Sequence, residues 1–308
     1  MSDKARPAAA IGGQAVIEGV MMRGKRHWSL AVRRPDGEIS LHSQPLNPLA
    51  DRYRVLKLPV LRGMIALWES LSLGIKTLMM SANESLGEEE EEISKKEMGI
   101  SLAVGIILAV GLFIVLPLFA ARPVKWWIPN DSVFVFTEGV IRIVILIVYI
   151  LAVSRIKQLR RLFEYHGAEH KSIHAFEAGL ELEPDNVMRF SPLHPRCGTS
   201  FLLIVMVLAI IVFTFVGTPG ILWLVVSRLV GIPLIVGLSY EVIKYAGKHK
   251  DSAFMKTVMY PGLLLQRLTT REPDASQIEV AIKALEGVLA QEPVEVDKGG
   301  KADVEVMA

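Results

Sequence analysis

Residues 99 to 121, GISLAVGIILAVGLFIVLPLFAA, run for 23 residues without a charge. A helix of that length, at about 1.5 Å per residue, reaches roughly 34 Å and covers a hydrocarbon core of about 30 Å. A transmembrane helix here limits what every other part of the chain can be. Three further segments obey the same logic. Residues 133 to 153 are apolar except that Glu138 and Arg142 stand four apart, where they can pair on one helical face. Residues 201 to 216 are wholly apolar, and 221 to about 244 continue the hydrophobicity with only Arg228 and Glu241 interrupting. Thr218-Pro219-Gly220 divides these last two, which gives either a tight hairpin of two spans or one long span with a re-entrant piece. The composition agrees, with 51% hydrophobic and 21% charged residues in 308.

Lys and Arg close to span ends favour the cytoplasm. Arg155, Lys157, Arg160 and Arg161 follow the second span, and Lys244, Lys248 and Lys250 follow the fourth, whereas the turn after the third has no cation. Both termini are therefore expected in the cytosol, with Trp126 and Trp127 at the opposite interface. The first thirty residues hold no apolar run of signal-peptide length, which leaves insertion to internal segments. A net charge of +2 without interleaved aromatic platforms argues against nucleic acid as a partner. The single cysteine, Cys197, excludes an internal disulfide.

The expected fold is an α-helical polytopic membrane protein of about four transmembrane helices with a small N-terminal cytosolic region. That region, 1 to 98, contains a β-hairpin, because SLAVRRPDGEISL alternates on both sides of Pro35-Asp36-Gly37. An amphipathic helix follows, with Leu56, Val60, Met64, Leu67, Leu71, Ile75 and Leu78 recurring at three and four residues across about 55 to 82. Its charges, Lys57, Arg62, Glu69 and Lys76, weigh against a fifth span. The charge run at 84 to 97 reads as a solvated linker or helix extension. Residues 99 to 154 carry spans one and two, 155 to 200 a cytosolic histidine-rich segment, and 201 to 245 spans three and four. Residues 246 to 308 form a cytosolic region with a helix near 274 to 290, capped from Asp274 and Ser276, and a disordered tail.

The histidine-rich segment carries the chemistry. EYHGAEHKSIHAFE, residues 164 to 177, places His166, His170 and His174 four apart and Glu177 among them on one face of a helix. Imidazole and carboxylate suit a borderline divalent cation such as Zn²⁺. His166-Gly-Ala-Glu169-His170 also spells His-x-x-Glu-His, in which two histidines hold a metal and the glutamate acts as general base. Downstream, SPLHPRCGTSF brings His194 and Cys197, and Pro192 with Pro195 keeps that stretch non-helical, so that it can fold back onto the histidine helix. The ligand set is either open, as His166, His170 and Glu177 with water, or a closed His/His/His/Cys site. The bland alternatives are a polar interfacial helix and a Cys197 that merely packs. GGQAVIEGVMMRG, residues 12 to 24, reads as a strand flanked by glycines, or as a loop presenting Glu18 and Arg23 to a ligand.

The blocks GGQAVIEGVMMRG, YHGAEHKSIHAFE, HPRCGTSF and TTREPDASQIEVAI, spread from residue 12 to residue 282, resemble the bacterial YqhQ-like family of polytopic membrane proteins, described as predicted metal-dependent enzymes. The resemblance implies a protein of the bacterial plasma membrane. The expected function is a membrane-embedded metal-dependent enzyme, a hydrolase acting on a peptide or lipid-linked substrate presented at the membrane, with Glu169 as base. His166, His170, His174, Glu177, His194 and Cys197 complete or support the metal. The other reading is a non-catalytic accessory protein of membrane-protein biogenesis or transport, with the same cluster as a structural metal site.

Overall fold

The computed structural model describes residues 11–87, 93–217, 221–248 and 252–292. The expected turn at 218 to 220, the middle of the charge run and the expected disordered tail lie outside the described residues.

Four antiparallel strands open the chain in simple meander order, β1 (Gly12–Val16), β2 (Gly19–Arg23), β3 (His27–Arg33) and β4 (Ile39–Pro45). The hairpin expected across Pro35-Asp36-Gly37 is β3–β4, with Gly37 at φ +92° and Arg33 opposite Ile39. A second hairpin precedes it: the glycine-flanked stretch forms two strands, Val16 pairing with Gly19 across a two-residue turn whose Glu18 sits at φ +50°. The meander is buried on both faces, which explains why β2 and β3 are apolar nearly throughout. Val16, Met21, Trp28, Leu30 and Val32 pack against Leu73 of α2 (Leu61–Glu84). The opposite face, with Val20, Met22 and Ala31, meets α6 (Lys157–Glu177) and α11 (Ala275–Leu289). The N-terminal region and the far C-terminal helix thus share one core, and Glu292 seals it by accepting from the backbone N–H groups of Lys25, Arg26 and His27 at 3.1, 2.6 and 2.7 Å.

Between β4 and α2 lie α1 (Leu49–Arg52) and a 3₁₀ turn (Arg54–Lys57), so the amphipathic helix begins at residue 61 rather than at 55. Among the described residues four helical stretches are long and apolar enough to cross a membrane: Lys96–Trp127, Asp131–Val153, Gly198–Val216 and Val226–Ala246. The first consists of α3 (Lys95–Val110), a π turn (Gly111–Val115) and α4 (Leu116–Trp127). The others belong to α5 (Asp131–Val153), α8 (Gly198–Val216) and α9 (Ile221–Lys248). The chain is therefore an α-helical polytopic membrane protein, and its last two apolar segments are separate helices. Alternating crossings put the meander, α6, the short α7 (Pro184–Met188) and the residues after α9 at the same ends of the spans.

Within the spans, Glu138 is 3% exposed and held by two guanidiniums, Arg142 from its own helix and Arg228 of α9 at 3.3 Å. Arg142 also donates through Nε to the Phe113 carbonyl at 2.7 Å, in the π turn. That turn shifts the carbonyl ladder by one residue and leaves an acceptor for a side chain. α10 (Ala253–Thr269), unforeseen from the sequence, packs beside α8 with Pro261 inside it.

Candidate metal centre

Local sequence explains how α6 comes so close to its neighbours. Its Gly167 lies against the segment following α10, where an added Cβ would stand 2.0 Å from the Arg271 carbonyl oxygen. Arg271 in turn donates its N–H to the Phe163 carbonyl at 2.9 Å. Only glycine permits that approach, and it carries the Thr269 carbonyl to within 2.9 Å of His166 Nδ1. On the other flank, Gly13 of β1 presses on Glu169, whose Cγ would be 2.9 Å from a Cβ at residue 13.

Residues 191 to 197 fold back along α6, as Pro192 and Pro195 imply, and are fastened by Gln266 of α10, which is fully buried. Its amide accepts from the His194 N–H at 2.9 Å and donates to the His194 carbonyl and to Ser200 Oγ, each at 2.8 Å. The loop runs antiparallel to α6, so its residues meet the helix in reverse order. His194 falls beside His174, ring centroids 4.6 Å apart, and Cys197 beside His166, Sγ to Nε2 3.3 Å.

The six expected ligands consequently divide into two groups. His166, His170 and Cys197 offer donor atoms within 4.8 Å of one another, and so do His174, Glu177 and His194. The single coordination face is not what forms. His166 and Glu177 are eleven residues apart, about 16 Å of helix rise, and one ion cannot bridge them. The open set of His166, His170 and Glu177 is not brought together.

In the first group each histidine is oriented by a backbone carbonyl. His166 Nδ1 donates to Thr269 at 2.9 Å and His170 Nδ1 to Pro192 at 2.5 Å, so that both Nε2 atoms face Cys197. An outer carbonyl on the far ring nitrogen is the arrangement that fixes tautomer and direction in metal-ligating histidines. The group opens on a cavity of 330 Å³ bounded by Gly12 to Ala15 of β1, Glu169, His194 and Gly198. Cys197 also precedes the first turn of α8, which no side chain caps.

The electrostatics of the ion-free site follow from burial. It pushes the Glu169 carboxyl up to about 8, against the opposing pull of His166 and the Gly13 N–H. Burial drives His166 down, but the Cys197 sulfur outweighs it and holds the imidazole at about 9. Burial likewise raises the Cys197 thiol, and His166 overrides it, leaving the thiol well below its ordinary range. His170, His174 and His194 are each lowered to about 4, by burial first. His194 is therefore neutral near pH 7, and its 3.7 Å approach to Glu177 is not an ion pair. The true ion-pair partner of Glu177 is Arg196.

Glu18 and Arg23 do not enter the site. Glu18 accepts from Arg161 Nη2 at 2.6 Å and Tyr165 Oη at 3.2 Å, tying the first hairpin to α6, while Arg23 pairs with Glu69 of α2 at 3.2 Å. Sequence reasoning missed Thr269, Gln266 and Gly13, which supply the supports. Gly13 alone stood in a stretch already marked out by its glycines.

The family described as "Protein of unknown function (DUF1385)" matches residues 58–291. The chain is 36% identical over 300 residues to a protein of Bacillus subtilis (strain 168) described as "Uncharacterized protein YqhQ", covering 92% of this chain and 93% of that one. No solved structure matches it.

Proposed function

Taking as premise that this chain belongs to the DUF1385 family, we propose that it is a membrane-embedded metal-dependent hydrolase of the bacterial plasma membrane, with both termini and its site in the cytosol. The orientation rests on the cations that follow α5 and those at the C-terminal end of α9, Lys244 and Lys248, against none between α8 and α9. The observation that carries the function is the convergence of His166 Nε2, His170 Nε2 and Cys197 Sγ beside a cavity that also contains the buried Glu169.

The three donors fit a divalent cation, Zn²⁺ above all, since thiolate with two imidazoles is a soft, tetrahedral set with one position left over. Such an ion would supply Lewis-acid polarisation at that position. The chain's own residues do the rest. The carbonyls of Thr269 and Pro192 hold both rings, Gly13 positions the Glu169 carboxyl, and Glu169 takes a proton from the attacking water and returns it to the leaving group. A dication nearby favours the ionised carboxylate and so counters the burial that otherwise keeps Glu169 protonated. The cavity adjoins the N-terminal end of α8, the end of a helix long and apolar enough to span, and this supports a peptide or lipid-linked substrate presented at the membrane.

The test is zinc content together with turnover. Cys197→Ala and His166→Ala should each lose one equivalent of zinc relative to wild type. Glu169→Gln should keep its zinc and lose hydrolysis of membrane-presented peptide and lipid-linked esters. Retention of full zinc by Cys197→Ala, or unchanged turnover by Glu169→Gln, would refute the proposal.

A further inference from the structure

We infer that the chain holds a second divalent cation, at His174, Glu177 and His194, along α6 from the first triad. Their donor atoms lie within 4.8 Å of one another. His194 is 4% exposed and its Nε2 has no hydrogen-bond partner among the described residues, while standing 3.7 Å from Glu177 Oε2. A buried ring nitrogen left without a partner and aimed at a carboxylate calls for a third body between them. The other two residues are poised in the same sense. His174 Nε2 donates to the Leu193 carbonyl at 2.9 Å, which leaves the lone pair on Nδ1. Arg196 holds Oε1 of Glu177 and leaves Oε2 toward His194. Orientation of a ligand through its far atom is what outer partners do at metal sites.

Two imidazoles and a carboxylate make a harder set than the thiolate triad, one that accepts Fe²⁺ or Mn²⁺ as well as Zn²⁺. Two features make it the weaker site. The Arg196 guanidinium opposes a cation on Glu177. His194 Nδ1 accepts a 3.3 Å contact from the Arg196 N–H, and this contact is given up when the ring proton moves to Nδ1. The ion would tie α6 to residues 193 to 197, the loop that delivers Cys197 to the first triad. The inference goes beyond the proposed hydrolase and does not need it.

The experiment uses the full chain in detergent, stripped with chelator, reloaded with Co²⁺ and counted by mass spectrometry. Thiolate-to-cobalt charge-transfer absorption marks the Cys197 site alone. Wild type should hold two cobalt ions per chain. His174→Ala and Glu177→Gln should hold one each with the absorption intact, which also reports that the fold survives. Cys197→Ala should hold one without the absorption. Under stepwise chelation the spectroscopically silent ion should leave first. A wild type holding one ion that carries the absorption, unaffected by Glu177→Gln, overturns the inference and spares the first triad. One silent ion, lost in Glu177→Gln, upholds the inference and overturns the first triad. Loss of both ions in Glu177→Gln, or no ion in wild type, overturns the second site.

Discussion

Glu138 in the spans and Glu169 beside the first triad are 3% and 4% exposed, yet their carboxylates keep different company. Glu138 has two guanidiniums on it, from α5 and α9, and Arg142 is further held by a carbonyl of the π turn. Every strong group there finds a partner within the cluster. Among the described residues no Arg or Lys pairs with Glu169, which has the Gly13 N–H and the fields of His166 and of the Cys197 sulfur. His166 and His170 beside it each spend one nitrogen on a backbone carbonyl and turn the other to the Cys197 sulfur, an atom able to ligate a metal and not an opposite charge of the Arg kind. Polarity satisfied by opposite charge holds helices together, whereas polarity fixed on one side only remains available to a ligand.

The largest effect should come from breaking the charge pairing in the spans. Glu138→Ala leaves two guanidiniums facing each other in an apolar bundle, and removal of one partner from a buried ion cluster costs about 3–5 kcal/mol. Unfolding of the purified protein in detergent should show a loss of that size. Replacing Glu138, Arg142 and Arg228 together by apolar residues should recover most of it. If the triple variant is as unstable as the single one, the cluster is more than a clamp.

Gly167→Ala attacks the other region without touching a ligand. Its Cβ would meet the Arg271 carbonyl oxygen at 2.0 Å, so that α6 or the 269 to 272 segment must move. Overpacking of this kind costs about 1–3 kcal/mol, and it withdraws the Thr269 carbonyl from His166. Metal content should fall with stability, measured by elemental analysis beside thermal denaturation. Stability lost with metal fully retained would show that the carbonyl does not orient the ring.

How much of this was legible in the sequence follows from range. The spans declared themselves through long apolar runs, broken only by Glu138 and Arg142 in the second and Arg228 and Glu241 in the fourth, and the histidine helix through a four-residue spacing, since both are local patterns. The division of six ligands into two triads was not legible, because it depends on the direction in which residues 191 to 197 return along α6. α10 escaped because Pro261 interrupts its pattern, although its Gln266 and Thr269 support the site. The first hairpin escaped because its turn holds Ile17 and Glu18 rather than a glycine pair. Glu18 instead bears the positive φ, held by Arg161 and Tyr165.

A third test uses pH on the metal-free protein. Burial first, then the nearby sulfur, raises the Glu169 carboxyl from 4.5 to about 8. Between those values the unfolded chain has released a proton that the folded one keeps, so stability falls as pH rises from about 4.5 toward 8. His166, held at about 9 by Cys197, loses stability from 6.5 to 9, but the Cys197 thiol, held well below its ordinary range by the same contact, gains it as pH rises toward 9 and offsets that loss, which leaves the decline to Glu169. Glu169→Gln cannot titrate and should flatten that decline, seen as a smaller drop in Tm between pH 5 and pH 8 in chelator. An unchanged slope would mean that Glu169 is already ionised without metal and has a partner comparable to those of Glu138.

The smallest effect sharpens the account of the spans. Arg142→Lys keeps the positive charge on Glu138 but offers one compact ammonium in place of a fork. The carboxylate contact can persist while the Phe113 carbonyl loses its donor, 2.7 Å away in the wild type. A neutral acceptor left so costs about 1 kcal/mol, well below the loss for Glu138→Ala. The two are to be compared by unfolding in the same detergent. If the order holds, charge pairing dominates the cluster and the π turn only refines it. If Arg142→Lys costs as much as Glu138→Ala, the fork between carboxylate and carbonyl is the principal bond, and α3–α4 rather than α9 is what Glu138 and Arg142 hold in place.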